Sequence, residues 1–312
     1  MSTLRQLGER ELIRRLTPKL PLRPDVILGT GDDCAIVRGE NGFDLLYTTD
    51  AVIEGRHFIR ESTPELIGRK AVARALSDIA AMGGEPVHLL VNLVANPNET
   101  LERIERVYDG LSRMCAQHGV SVIGGDTASG IALELHIFLT GRVPSGRALR
   151  RQGAKIDDVI YVTGSLGGSI RGKHFEFQPR LAEGRWLREE NFANCMIDLS
   201  DGLATDLRHI VVASDVSAII DATRIPVSPD VAQLESVRSP LDHALLDGED
   251  FELLFTVPDC RQSEFEAVWA KIFDLPVTAI GRIGRGPPNI QIIDALGLTT
   301  DLPDAGFEHF RA

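Results

Sequence analysis

The residues with the most chemistry to offer are carboxylates set beside glycines and hydroxyls. Gly31-Asp32-Asp33 follows the apolar run Val26-Ile27-Leu28, and Thr48-Thr49-Asp50 follows residues 43–47. Gly124-Gly125-Asp126 follows residues 120–123, and Asp198-Leu199-Ser200-Asp201-Gly202 follows Cys195-Met196-Ile197. Each apolar run reads as a short strand that stops on an aspartate. Strand ends and the loops beyond them are where α/β chains assemble their sites. Carboxylate and hydroxyl oxygens are the ligands that hard Mg²⁺ prefers. The expectation is one shared acidic edge seating several Mg²⁺ ions.

Further acids stand out against their local setting. Asp78 falls near the C-terminal end of a helix predicted over residues 64–82, where the macrodipole disfavours a carboxylate by about 0.3–1 kcal/mol. Asp247-Gly248-Glu249-Asp250 crowds three acids into one turn. Around Asp198, one helix cap needs a single Ser or Asp, yet three such residues are present.

Familiar phosphate devices are missing. There is no GxxxxGK[ST] loop, and Gly164-Ser165-Leu166-Gly167-Gly168-Ser169 lacks the lysine that would make it one. That stretch reads as a tight strand-to-helix turn. No GxGxxG opens a βαβ unit, and no Ser/His/Asp or Cys/His ordering emerges. Arg56-His57 fits a surface pair or a contact for an anionic group, and spacing does not separate the two.

The elements that must position these residues follow from pattern. Residues 9–20 form an amphipathic helix with Leu12, Ile13 and Leu16 on one face. Thr63-Pro64-Glu65 starts a helix that stops at Gly83-Gly84, with Thr63 as the capping hydroxyl. A second helix begins near Asn98, carries Leu101, Ile104, Tyr108, Leu111 and Cys115 on one face, and ends at Gly119. Residues 132–143 alternate as a half-buried strand. The basic, turn-rich stretch 142–155 marks a domain boundary. Beyond it come strands at 159–163, 195–198, 218–220, 251–257 and 277–283, with helices near 181–190 and 203–211.

A chain of 312 residues is long enough for two domains, and 43% hydrophobic with 25% charged residues describes a globular protein. No apolar run reaches a membrane span, and Met1-Ser2-Thr3-Leu4-Arg5 lacks an export pattern, so a cytoplasmic protein is expected. Cys34, Cys115, Cys195 and Cys260 are scattered and form no CxxC pair, which fits reduced thiols. A net charge of −12 argues against nucleic acid as a partner.

Several motifs occur in a fixed order: Gly31-Asp-Asp-Cys34-Ala35, Thr49-Asp50-Ala-Val-Ile-Glu-Gly-Arg-His57-Phe58, Ala75-Leu-Ser-Asp78-Ile-Ala-Ala-Met-Gly83, Gly124-Gly-Asp126-Thr127, Ile197-Asp-Leu-Ser-Asp-Gly202-Leu203 and Gly248-Glu-Asp250. Over nearly its whole length the chain resembles the thiamine-monophosphate kinase family, of the superfamily that holds aminoimidazole ribonucleotide synthetase. The resemblance implies a mixed α/β (α+β) two-domain fold. Residues 1–145 would bind ATP and Mg²⁺ and pair their sheet across a homodimer, and residues 146–312 would complete the site as an α/β domain. It implies transfer of phosphate from ATP to thiamine monophosphate. Carried over by position, Asp33, Thr48, Thr49, Asp50, Asp78, Asp126, Asp198 and Asp201 would hold Mg²⁺, with Asp126, Asp198 and Asp201 central to catalysis. Tyr108, Gly125, Arg151 and Ser200 would touch the nucleotide, and His57, Glu249 and Phe307 the thiamine end.

The chain departs from the family pattern in two places. Only residues 170–173 separate the glycine-rich loop from His174-Phe-Glu-Phe-Gln-Pro179-Arg180, where a longer helical segment is usual, and Asp247 stands where glycine is usual. Both departures fall on the thiamine pocket and spare the metal edge. The alternatives are a relative acting on another small acceptor, or a non-catalytic protein that binds a nucleotide or thiamine phosphate. Selenophosphate synthetase is disfavoured because no reactive N-terminal cysteine stands next to a lysine. The hydrogenase maturation factor is disfavoured because Glu308-His-Phe-Arg-Ala312 contains no cysteine.

Overall fold

Two sheets divide the chain, and the computed structural model describes residues 3–303, 306, 307 and 310. The first sheet holds β1 (Val26–Leu28), β2 (Ala35–Arg38), β3 (Phe43–Ile53), β4 (Glu85–Ala95), β5 (Ser121–Ser129) and β6 (Glu134–Pro144) in the order β1-β2-β3-β6-β4-β5. The second holds β7 (Val159–Thr163), β8 (Cys195–Asp198), β9 (Ser217–Asp221), β10 (Leu253–Val257), β11 (Val277–Gly284), β12 (Asn289–Ile293) and β13 (Thr299–Asp301) in the order β13-β12-β9-β11-β7-β10-β8. The helices are α1 (Leu4–Leu7), α2 (Glu9–Leu16), α3 (Pro64–Ala81), α4 (Leu101–Gln117), α5 (Lys173–Glu176), α6 (Leu181–Glu189), α7 (Leu203–Ser214), α8 (Pro240–Leu246) and α9 (Gln262–Ile272). No described helix is long and apolar enough to cross a membrane. Of the closing stretch 308–312, only Phe310 lies within the described residues.

Helix α3 is the element the others are arranged around. It packs on the first sheet, on α4, and on α5, α6 and β8 of the second half. Ile67, Ala71, Val72, Leu76 and Ile79 are fully buried, as expected of a helix covered on several sides. The first core accordingly reaches past residue 145 to include Phe177 and Phe251. At the C-terminal end, Gly83 takes φ 63°, and Arg188 Nε donates to its carbonyl at 2.7 Å.

The strand expectations need correction at the acids. The pattern predicts a strand over 43–47 ending before Thr48, but β3 runs on to Ile53 and pairs with β6 throughout, from Phe43↔Pro144 to Ile53↔Glu134. Thr48, Thr49, Val52 and Ile53 are β-branched and keep the strand going. Asp126 likewise lies inside β5 instead of beyond it. Only Asp32 and Asp33 after β1, and Asp198 at the end of β8, sit where a strand stops.

Smaller differences follow similar lines. Helix α2 ends at Leu16 and continues as a 3₁₀ turn over Thr17–Lys19. Its face is not buried: Ile13 and Leu16 are exposed. Thr63 precedes α3 without a side-chain cap bond. Phe251 lies outside β10, with φ 50°. Strands β2, β4, β12 and β13 had no counterpart in the sequence reading.

Helices α3 and α4 touch backbone to backbone at two glycines. A Cβ at Gly110 would lie 1.8 Å from the Glu65 carbonyl oxygen, and one at Gly68 would lie 1.9 Å from that of Val107. Helix propensity favours Gly110→Ala by about 1 kcal/mol, whereas overpacking opposes it by about 1–3 kcal/mol or more. A net loss of about 1–2 kcal/mol is expected for Gly110→Ala in urea unfolding, and a more stable variant would contradict this close approach.

Candidate active site

Four acids from separate segments meet beneath α3. Asp33 comes from the loop after β1, Asp50 from β3, Asp78 from α3 and Asp198 from β8. Burial raises the Asp78 carboxyl well above the usual range, and the neighbouring charges of Asp198, Asp50 and Asp33 add to the shift. Burial, then Asp33, pushes Asp198 up to about 7, although Ser77 Oγ donates to its Oδ2 at 2.6 Å. Thr48 Oγ1 donates to Asp78 Oδ2. Arg151 offsets part of this charge, with Nη2 at 2.6 Å and Nε at 3.2 Å from Asp33 Oδ1. Its backbone N–H is held by Asp32. The other oxygen of Asp33, Oδ2, is buried with no hydrogen-bond partner.

Beside the acids, one face of α3 supplies cations. Lys70, Arg74, Ser77 and Asp78 share that face by their spacing. Lys70, fully buried, donates to the His57 carbonyl at 2.7 Å and to Glu249 Oε2 at 2.9 Å, and lies 2.7 Å from His174 Nδ1. Burial lowers it to about 8, against the opposing charge of Glu249. Arg74 reaches Glu249 Oε1 at 2.7 Å and Asp50 Oδ1 at 3.0 Å. Burial works to raise Glu249, but the His174 hydrogen bond and the charges of Lys70 and Arg74 outweigh it and hold the carboxyl at about 2. Glu249 itself sits at φ 65°, a conformation that non-glycine residues rarely adopt.

The thiamine-end residues of the resemblance lie around this face. His57 Nδ1 accepts from the Ile53 N–H at 3.1 Å, which leaves the ring proton on Nε2. The Arg56 guanidinium lies 4.6 Å from the centroid of the Phe307 ring, and the Phe307 N–H meets the Asp201 carbonyl at 3.2 Å. Burial, then Glu9, raises Asp201 to about 6, and its carboxylate groups with Asp206 and His209 within 4.8 Å. The Ser200 carbonyl takes the Glu249 N–H at 2.8 Å.

Other positions are not brought to the cluster by a single chain. Asp50, Ile137, Val91 and Gly125 form one row across β3, β6, β4 and β5. Asp126 belongs to the next row, with Asn92, His136 and Ala51, and therefore points to the opposite, outer face. Three strand spacings of about 4.8 Å separate it from β3 as well. Thr49 also faces outward, where its Oγ1 donates to the Ile137 carbonyl at 2.9 Å. Tyr108 is half-buried against the first core, its hydroxyl pKa raised by burial. Gly125 has a packing reason of its own, since a Cβ there would lie 1.8 Å from the Val91 carbonyl oxygen.

Several partners were not picked out from sequence. Lys70 and Arg74 lie eight and four positions before Asp78, so helical spacing counted back from that acid would have found them, and Ser77 is its chain neighbour. The acidic turn at 247–250 proves to be divided in its duties. Asp250 Oδ2 accepts from the Gly167 N–H at 2.9 Å, and Asp247 Oδ2 from the Gly168 N–H at 3.1 Å. These carboxylates occupy the donors of the glycine-rich loop, which agrees with a turn in place of a phosphate cradle. Glu252 is buried between Arg180, Lys173 and Thr163.

Comparison with known proteins follows the same lines. Residues 31–143 match the family model for AIR synthase related protein, N-terminal domain. Thiamine-monophosphate kinase of Escherichia coli (strain K12) is 36% identical over 326 residues, covering 97% of this chain and 98% of that protein. The chain belongs to the thiamine-monophosphate kinase family. Among solved structures, AaThiL complexed with AMPPCP and TMP superposes with a TM-score of 0.85 at 29% identity, covering 99% of both chains. The family member from Stenotrophomonas maltophilia K279a gives 0.74 at 34% identity, covering 90% of this chain and 94% of that one. The family's two-sheet, mixed α/β architecture is thus shared along essentially the full length.

The acid cluster has a measurable cost for this family member. Folding raises Asp198 from the ordinary 3.8 to about 7, so between those values the folded chain holds a proton that the unfolded chain has released. Its contribution is present at low pH and lost as pH rises through 7. With divalent ions chelated, Asp198→Asn should raise the melting midpoint at pH 8 by roughly 2–8 °C and at pH 5 by only about a third as much, because the cost builds up between 3.8 and about 7. Equal shifts at both values would contradict the assignment.

Proposed function

We infer that this chain transfers the terminal phosphoryl group of ATP to thiamine monophosphate, giving thiamine diphosphate and ADP. The observation that carries the reading is the convergence of Asp33, Asp50, Asp78 and Asp198 beside Glu249 and His57, in a chain that matches its kinase relatives end to end. Donor and acceptor are both phosphorylated, so the protein must hold two polyanions together. The acceptor oxygen has a second pKa near ~6 and is largely deprotonated at neutral pH, so it needs little help from a base. Positioning and charge neutralisation remain.

The residues fit Mg²⁺. The donor set is oxygen throughout, the acids repel one another, and Asp33 Oδ2 is buried without a bond. Asp33, Thr48, Asp50, Asp78, Asp198 and Asp201 would hold several ions, with Thr49 and Asp126 on the outer face. Mg²⁺ bound there would neutralise charge on the transferred group. Arg151 and Ser200, with Tyr108 and Gly125, would meet the nucleotide. Glu249 would face the thiamine cation, His57 Nε2 would donate a hydrogen bond, and Phe307 would offer a ring face.

We further propose a homodimer formed through residues 1–145, with 146–312 completing the site. All nine residues of β5, Val122 and Ile123 among them, are exposed along an edge of the first sheet, and Phe138 of β6 is exposed as well. An open strand of this kind seeks cover. A second copy seated there would meet Asp126, Gly125 and Thr49, and the nucleotide would lie near that seam. With ATP and thiamine monophosphate as its substrates, the enzyme would work in the cytoplasm.

Purified protein with Mg²⁺, ATP and thiamine monophosphate should form thiamine diphosphate and ADP in equal amounts. Asp201→Asn and Asp126→Asn should each lower kcat by about 10²-fold or more without lowering the melting midpoint. No product from folded, Mg²⁺-supplied wild type would overturn the function, and full activity in both variants would remove the metal assignment.

A further inference from the structure

We propose that Arg74 is a positioning residue for the acceptor, a guanidinium strut that sets the distance between the thiamine-side carboxylate of Glu249 and the metal-side carboxylate of Asp50. The proposal rests on the reading of the site given above. Arg74 does not fork onto one carboxylate. Nη1 takes Glu249 Oε1 at 2.7 Å and Nη2 takes Asp50 Oδ1 at 3.0 Å, so each arm holds a different acid. Those acids come from β3 and from the turn before β10, which share no backbone pairing. Lys70 anchors Glu249 as well, but its other contacts are the His57 carbonyl and His174. Of the two cations, Arg74 is the one bonded to acids on both sides.

The strut is braced from behind. The Phe251 ring lies 5.6 Å from the guanidinium, and Phe177 stacks on Phe251 at 4.1 Å. Phe177 belongs to the element that follows the shortened segment 170–173. One turn earlier on α3, Arg69 fixes that element by donating to the carbonyls of Phe175 at 2.6 Å, Glu176 at 3.0 Å and Phe177 at 2.5 Å. Arg74 Nε is buried with no hydrogen-bond partner, so the two terminal nitrogens carry the load. Phe251 and Glu249 both sit at positive φ, 50° and 65°, held there by the surrounding contacts. A planar guanidinium with fixed arm spacing determines a separation; an ammonium, as a point charge on a flexible stem, does not. Displacing one reacting group by an ångström can cost about 10²-fold in rate.

The test compares wild type, Arg74→Lys, Arg74→Gln, Glu249→Gln and the Arg74→Gln/Glu249→Gln double variant, in steady-state assays with ATP and thiamine monophosphate. Calorimetric titration of each protein with thiamine monophosphate accompanies the assays. Arg74→Lys, which keeps the charge, should fold with an unchanged midpoint yet lose about tenfold or more in kcat/KM for thiamine monophosphate, with KM for ATP within about twofold. Arg74→Gln should lose at least as much, but in the Glu249→Gln background its further effect should fall to about threefold or less, because the ion pair at one end of the strut is then already lost. Wild-type constants in Arg74→Lys, equal losses toward both substrates, or multiplicative effects of Arg74→Gln and Glu249→Gln would each overturn the proposal. Absence of turnover in wild type would instead strike the functional reading. The calorimetric affinities would then still decide on Arg74: weaker binding of thiamine monophosphate to Arg74→Lys supports the strut, and unchanged binding overturns it.

Discussion

Like charges gathered in a buried place repel, and the architecture around α3 answers that repulsion. Asp33, Asp50, Asp78 and Asp198 arrive from a loop, a strand, a helix and another strand, and burial makes Asp33, Asp78 and Asp198 costlier to ionise. Partial compensation comes from Arg151 on one side and Arg74 on the other. What those cations leave unpaired, including a buried oxygen of Asp33, is the ground on which divalent-ion binding is proposed. A helix with Lys70, Arg74, Ser77 and Asp78 on one face serves both sides at once, because its backbone is clamped between the two sheets.

The second half of the chain contributes strain as well as residues. In the turn 247–250, Asp247 and Asp250 bind the glycine-rich loop through its N–H groups, which frees Glu249 between them to reach α3. Holding Glu249 at positive φ costs of order 1–3 kcal/mol. The loop contacts, the Lys70 and Arg74 bonds, and the stacked Phe177 and Phe251 offset that cost. The short element after residue 173 is therefore part of the scaffold, tied to α3 by Arg69.

The first sheet carries candidate site residues on both faces. Its inner face carries Thr48 and Asp50 against α3, while its outer face carries Thr49 and Asp126 toward solvent. A single chain thus presents Thr49 and Asp126, metal ligands by the resemblance, on a different surface from the acid cluster. The exposed β5 edge gives the physical ground on which a partner copy would unite them.

Local chemistry was legible in the sequence by itself. The carboxylate-rich motifs, the limits of α3 and α4, the strand ending on Asp198 and the turn at Gly164 are set by periodicity, capping and glycine content, and all appear where expected. The order of motifs was enough to indicate the family. What the tertiary structure decided concerns distant pairs and faces: Arg151 with Asp33, Arg74 between Asp50 and Glu249, and Asp126 turned away from Asp50. Strand continuation through Asp50 also depended on pairing with β6, which local composition does not report. Periodicity acts over a few residues, whereas register and close packing join segments a hundred or more apart, so the same acid can be a strand end, a ligand or a surface charge until its neighbours are in place.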